Sequence, residues 1–144
     1  MTVVDEIRRL HVIQGEYKVS SDPHVVISTL LGSCVSACIF DSVARVGGMN
    51  HFLLPGDLDR RSDRERERFG AHLMEVLINA LMKAGARRER LQAKLFGGAR
   101  VVQGLSDIGS KNADFAERYL VYEGIVVAAR DLGGERGRRV HFTP

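Results

Sequence analysis

The sequence predicts a mixed α/β fold of the α+β type, in which helices cover a largely antiparallel or mixed sheet. Three observations carry this. Apolar, β-branched runs crowd the first third of the chain, and one long segment has helical periodicity. The element order, several strands, helix, strand, helix, two strands, lacks the regular alternation of a doubly wound sheet. A chain of 144 residues with 44% hydrophobic and 27% charged residues has the size and composition of one domain with a proper core. Residues 1–144 are therefore read as a single domain.

Val25 to Leu31 is apolar and β-branched and reads as a buried strand. Cys34 to Phe40 and Val46 to Leu54 are two further apolar runs, joined by Asp41 to Ala44 as a four-residue hairpin loop. Asp57 to Arg68 is strongly polar and reads as a loop entering a helix. From Arg66 to Ala84, Phe69, Leu73, Val76, Leu77, Ala80 and Leu81 recur at helical spacing, and Gly85 supplies a left-handed stop. Leu91 to Phe96 alternates as a half-buried strand does, ended by Gly97-Gly98. A second helix is expected from Asn112, as N-cap, to Glu123, closed by Gly124. Strands Ile125 to Arg130 and Arg138 to Phe142 complete the chain.

Several function classes are disfavoured. No stretch approaches the roughly 18 apolar residues of a membrane span. Asp5 and Glu6 stand where a signal peptide would be basic and then apolar, so the protein is expected in the cytoplasm without membrane insertion. The net charge of +3 comes largely from arginines around 60–68, 87–90 and 136–139, and aromatics are only 6%. Solvated arginines are the plain reading and rank ahead of a nucleic-acid platform, and such a surface can also steer the protein toward an acidic partner. There is no P-loop or dinucleotide fingerprint. The two cysteines, Cys34 and Cys38, make neither a disulfide framework nor a four-ligand zinc site, so no metal or cofactor is expected.

One constellation has chemistry in it. At Thr29-Leu30-Leu31-Gly32-Ser33-Cys34 a buried strand runs into a bend of small residues. A thiol there is approachable, and neighbouring backbone N–H groups are free to hold an oxyanion. If Phe40 pairs with Arg45 across the hairpin, Cys34 lies opposite His51, with Cβ atoms about 4.5–5.5 Å apart. An imidazole beside a thiol gives a thiolate–imidazolium pair able to attack a carbonyl. Thr29, with its hydroxyl at the end of the preceding strand, is placed to orient His51 or the substrate amide, in the position a third member takes in other triads. Against this, free cysteine is among the most buried residue types. A core role is the preferred reading for Cys38 and the plain alternative for Cys34, and a hydrogen-bonded core histidine is the plain alternative for His51. Informative content lies in the set.

As a set, Thr29-Leu-Leu-Gly-Ser-Cys34-Val and Gly47-Gly-Met-Asn-His51-Phe-Leu-Leu-Pro55 resemble the signature of the CheD family, the chemoreceptor glutamine deamidases of bacterial and archaeal chemotaxis. Lys94-Leu-Phe-Gly-Gly-Ala99, Ile108-Gly with Asn112, and Asp131-Leu-Gly-Gly-Glu-Arg-Gly-Arg138 extend the likeness over nearly the whole chain. The resemblance implies an α/β sandwich similar to deamidating-toxin cysteine hydrolases, with Cys34 as nucleophile, His51 as base and Thr29 in support. Gly32, Ser33 and Asn50 are expected at the oxyanion and substrate-binding positions. It further implies conversion of receptor Gln side chains to Glu, with the helical cytoplasmic domain of a chemoreceptor as protein substrate. A CheC-type phosphatase is the second expected partner, and a weakly catalytic or non-catalytic module binding that phosphatase or the receptor is the alternative function. Family members usually continue past Val140-His-Phe-Thr-Pro144 with a glycine-containing β-hairpin. Its edge strands are expected to be missing here, to the detriment of stability and docking.

Overall fold

The computed structural model describes residues 6–55, 63–100 and 107–144. The expected loop over residues 57–62 lies outside them. Among the described residues eight strands form two sheets, with two α-helices on one side. β1 (Arg8–His11), β3 (Val25–Leu31) and β8 (Arg138–Phe142) make a small sheet in the order β1-β3-β8. β2 (Tyr17–Ser20), β4 (Val35–Asp41), β5 (Val46–Asn50), β6 (Gln92–Gly97) and β7 (Val126–Leu132) make a larger one in the order β2-β5-β4-β6-β7. β1 with β3 and β6 with β7 are parallel, and the other pairs are antiparallel. This is the mixed, largely antiparallel α/β sandwich that the sequence predicts.

The central strand β4 is sandwiched on both faces, which explains why it reads as an unbroken apolar run rather than an alternating one. Val35, Ala37 and Ile39 join a core with Phe52, Leu77, Leu81, Leu95, Phe115 and Leu120, beneath α1 (Asp63–Lys83) and α2 (Ile108–Tyr122). From the other face Cys38 joins Met49, Val12, Val25, Ile27, Leu31 and Val140 in a second core between the sheets. Each fully buried Leu, Ile or Phe contributes about 1.5–3 kcal/mol. The helices meet closely at Gly70, where a Cβ would sit 2.6 Å from the Phe115 ring. Any larger residue there would separate them.

Three sequence expectations are corrected by the structure. β1 and β2 are not expected as strands from the sequence: they are short, β1 mostly exposed and β2 half-buried, and they depend on partners distant in sequence. The β4–β5 hairpin pairs Asp41 with Val46, not Phe40 with Arg45. The buried Asp41 carboxylate accepts hydrogen bonds from the Val43 and Ala44 amides, and Arg45 takes the left-handed conformation (φ 56°), so the turn sits one residue later. Asp107, not Asn112, caps α2, its side chain accepting from the Ser110 amide.

Asp41 anchors more than its own turn. It also accepts from the Arg87 amide at 2.8 Å and from Arg90 Nε at 2.9 Å, tying the hairpin to the entrance of β6. The Arg90 guanidinium holds its carboxyl well below the usual carboxylate range.

Candidate active site

Between β3 and β4 the chain leaves one sheet and enters the other, and it makes the crossing through Gly32-Ser33-Cys34. This bend is clamped at each carbonyl. Gly32 accepts from the Ala99 amide at 3.0 Å, Ser33 from Asn112 Nδ2 at 2.9 Å, and Cys34 from the Gly98 amide at 2.9 Å. Asn112 is fully buried, and its own Oδ1 accepts from the Leu54 amide. The neighbouring Gly97 has φ 107°, and a Cβ on it would fall 2.2 Å from the Cys34 carbonyl oxygen. Only glycine meets both demands.

Peptide planarity turns these clamps into a statement about donors. In a trans peptide the C=O and the following N–H point in opposite directions. With the Gly32 and Ser33 carbonyls turned onto partners in the body of the protein, the Ser33 and Cys34 amides point away from it. Neither amide donates to a partner among the described residues.

Thr29 and His51 meet across the gap between the sheets. Thr29 Oγ1 lies 2.7 Å from His51 Nδ1 and donates to the Val12 carbonyl at 2.6 Å, and both residues are buried. A hydroxyl has one proton, and a carbonyl accepts only. With the threonine proton on Val12, Oγ1 accepts from Nδ1–H. The imidazole is thereby held as the tautomer whose free lone pair is on Nε2, the form a general base requires. His51 is fixed through its backbone as well: its carbonyl accepts from Gly15 and its amide donates to Glu16.

Cys34 packs against the inter-sheet core, half-buried, with its Sγ 3.9 Å from Gln14 Oε1. The isolated bridge Val35–Phe52 continues the β4–β5 register, so Ser36 stands opposite His51 and Cys34 one diagonal step away. The two-residue shift from the expected pairing keeps Cys34 and His51 on one face. Diagonal neighbours lie about 7–8 Å apart at most, within reach of side chains that lean together. Burial pushes the Cys34 thiol above its ordinary value. Burial lowers His51, partly offset by the Val12 carbonyl and reinforced by nearby His11. Both shifts favour the uncharged forms of the thiol and the imidazole.

The structure thus brings Thr29, Gly32, Ser33, Cys34 and His51 to one end of the inter-sheet gap. It does not bring Asn50 there. Asn50 precedes His51 on β5 and projects to the opposite face, where Oδ1 accepts from the Ala37 amide and Nδ2 faces Met74. Cys38 is fully buried, its thiol pushed up to about 12 by desolvation. Gln14, which the sequence does not single out, stands at the sulfur. The signal that identifies it is a set of long-range backbone bonds. Among the described residues no group of three or more His, Cys, Asp or Glu side chains converges as a metal site, and no helix is long and apolar enough to cross a membrane.

Comparison with known proteins adds relatives to this geometry. Residues 53–144 match the family model for CheD chemotactic sensory transduction. The chain is 55% identical over 138 residues to a probable chemoreceptor glutamine deamidase CheD of Sinorhizobium medicae, covering 95% of this chain and 75% of that protein. It is 56% identical over 142 residues to the protein of the same name in Acidiphilium cryptum, covering 97% and 75%. With the Caulobacter vibrioides protein of that name identity is 57% over 136 residues, covering 94% and 73%. Among solved structures, a Neisseria meningitidis protein of the DUF152 family superposes with a TM-score of 0.53 at 13% identity, covering 90% of this chain and 64% of that one. Bacillus licheniformis hypothetical protein YfiH gives 0.50 at 12%, covering 92% and 60%. The chain spans less than two thirds of either structure, and at such identity the likeness concerns the fold alone.

Proposed function

The chain belongs to the CheD family, and from that premise we propose that it is a chemoreceptor glutamine deamidase, hydrolysing the side-chain amide of selected receptor glutamines to glutamate through Cys34. The single observation that carries the chemistry is the Thr29–His51 contact of 2.7 Å, because it fixes the tautomer that leaves Nε2 basic. The reaction runs as two acyl transfers. His51 Nε2 takes the Cys34 proton as Sγ bonds to the glutamine Cδ, and the carbonyl π pair moves onto oxygen. The outward-pointing Ser33 and Cys34 amides, on the bend begun by Gly32, hold that oxyanion. His51 returns the proton to the departing nitrogen, ammonia leaves, and a thioester remains. His51 then draws a proton from water as its oxygen adds to the thioester carbon, and the C–S bond breaks as His51 returns that proton to Sγ, releasing the glutamate side chain and restoring the thiol and the free imidazole.

Burial that favours the uncharged thiol and imidazole suits this scheme, in which the proton passes from Cys34 to His51 as the substrate amide arrives. The two cores share β4, in keeping with one CheD-like domain over residues 1–144. The substrate surface would be the helical cytoplasmic domain of the receptor, which places the enzyme in the cytoplasm, and no metal or organic cofactor takes part in these steps.

One observation favours a second reading. A thiol raised by burial is also what a regulatory module without turnover would carry, docking on a CheC-type phosphatase or on the receptor. Ammonia release from a purified receptor cytoplasmic fragment, followed for wild type and Cys34→Ala, separates the two. Release by wild type alone supports the enzyme. No release by either, with tight phosphatase binding and a cysteine that resists alkylation at neutral pH, supports the module.

A further inference from the structure

We infer that the side-chain amide of Gln14 is a catalytic residue, the second donor of the oxyanion site; this rests on the reading of Cys34 as nucleophile. Gln14 is exposed, but the residues on either side of it are anchored. On one side Val12 is fully buried, bonded through its amide to Ser28 and through its carbonyl to Thr29 Oγ1. On the other side Gly15 donates to the His51 carbonyl, and Glu16 accepts from the His51 amide. Ile13 and Glu16 close the turn on each other, the Ile13 amide donating to Glu16 Oε1 and the Glu16 amide to the Ile13 carbonyl. The two residues that position the base therefore also fix the place from which Gln14 extends.

From there the carboxamide reaches the reacting sulfur, with Oε1 3.9 Å from Cys34 Sγ. A carboxamide carries an acceptor and two donors at nearly superposable positions, exchanged by a half-turn about its last torsion. In the resting state the neutral S–H favours the oxygen. As the proton leaves for His51 and negative charge moves from sulfur to the substrate oxygen, the electrostatic preference reverses, and the NH₂ end turns inward. It then donates to the oxyanion from the solvent side, opposite the Ser33 and Cys34 amides.

The test uses Gln14→Ala and Gln14→Glu in the full chain, with the receptor fragment as substrate and Cys34→Ala as blank. Loss of one oxyanion donor is expected to lower kcat by about 10²–10³-fold, with KM within about threefold and Gln14→Glu the slower variant. In Gln14→Ala, alkylation of Cys34 by iodoacetamide, a displacement that develops no oxyanion, is expected to keep its wild-type rate, whereas the Gln14→Glu carboxylate beside the sulfur is expected to slow it. Melting temperatures are expected to match wild type, since Gln14 is exposed. Wild-type turnover with kcat unchanged in Gln14→Ala would overturn the donor role alone. Alkylation falling in step with kcat in Gln14→Ala would overturn it in favour of an action on the thiol. Conversion of Gln14 itself to Glu, read from the wild-type peptide mass during turnover, would make it an internal substrate and also overturn the donor role. No turnover by the wild type would overturn the proposal together with the deamidase reading.

Discussion

Replacing Thr29 by Val isolates the contact on which the mechanism turns. The substitution keeps the branched shape in a buried strand position while removing one hydroxyl that donates to Val12 at 2.6 Å and accepts from His51 at 2.7 Å. Two hydrogen bonds at about 1 kcal/mol each put the stability loss near 2 kcal/mol, or roughly 4–8 °C of melting temperature for a chain of this size. The catalytic effect is separate. Without an acceptor at Oγ1 the imidazole is free to place its proton on Nε2, where it cannot act as base. Losing about 1–2 kcal/mol of preference for the productive tautomer lowers kcat by roughly 5–30-fold. Thr29→Ser retains the hydroxyl and is expected to recover most of kcat while still losing packing. The assay is steady-state deamidation of a receptor fragment beside thermal melts of all three proteins. A Thr29→Val variant that melts low but keeps kcat within twofold of wild type would refute the reasoning, as would a Thr29→Ser variant as slow as Thr29→Val.

Two further outcomes follow from the same geometry. Gly97→Ala places a Cβ against the Cys34 carbonyl in a left-handed backbone. Strain of about 1–3 kcal/mol plus displacement of the nucleophile bend is expected, seen as a lower melting temperature and a fall in kcat larger than in KM. The pH profile is set by opposite shifts. His51 lies below its ordinary value of 6.5 and Cys34 above 9.0, so kcat/KM is expected to rise through a midpoint below 6.5 and stay level to about pH 9. An acid limb that follows a depressed thiol pKa and disappears in no His51 variant would argue for a preformed ion pair. Stability follows the same signs. The unfolded histidine binds a proton that the folded one refuses, so stability is lost as pH falls from 6.5 through the folded His51 value. Cys34, and Cys38 at about 12, resist ionisation when folded, so stability is lost again as pH rises above 9.0.

The elements legible in the sequence were those whose burial has a period. β3 and β8 read at their observed bounds, and α1 reads as a helix, but its buried face runs through Met74, Leu77, Ile78 and Leu81 while Phe69 of the expected stripe is exposed. β1 and β2 were not legible, because Arg8–His11 and Tyr17–Ser20 are mostly polar or exposed and exist through pairing with β3 and β5. The hairpin register moved by two because Asp41 caps the turn through the Val43 and Ala44 amides, a local signal that the loop assignment passed over, and is held there by Arg90 from far along the chain. The error was even, so the shared face of Cys34 and His51 survived it. Asn112 was recognised as a polar residue with a purpose, but that purpose is to hold the Ser33 carbonyl rather than to cap a helix. Asn50 sits beside His51 in sequence and on the other face in space. Gln14 was invisible for the opposite reason: it is distant in sequence and adjacent in space.

The most direct measurement is rapid-quench mass spectrometry of the enzyme mixed with a receptor cytoplasmic fragment. It reads both the Gln-to-Glu change at individual sites and any covalent adduct on the Cys34 peptide. The account requires an adduct at Cys34 that lacks the mass of ammonia, is cleaved by hydroxylamine and precedes glutamate, with neither adduct nor glutamate formed by Cys34→Ala. Glutamate appearing at the same rate with Cys34→Ala as with wild type would contradict it.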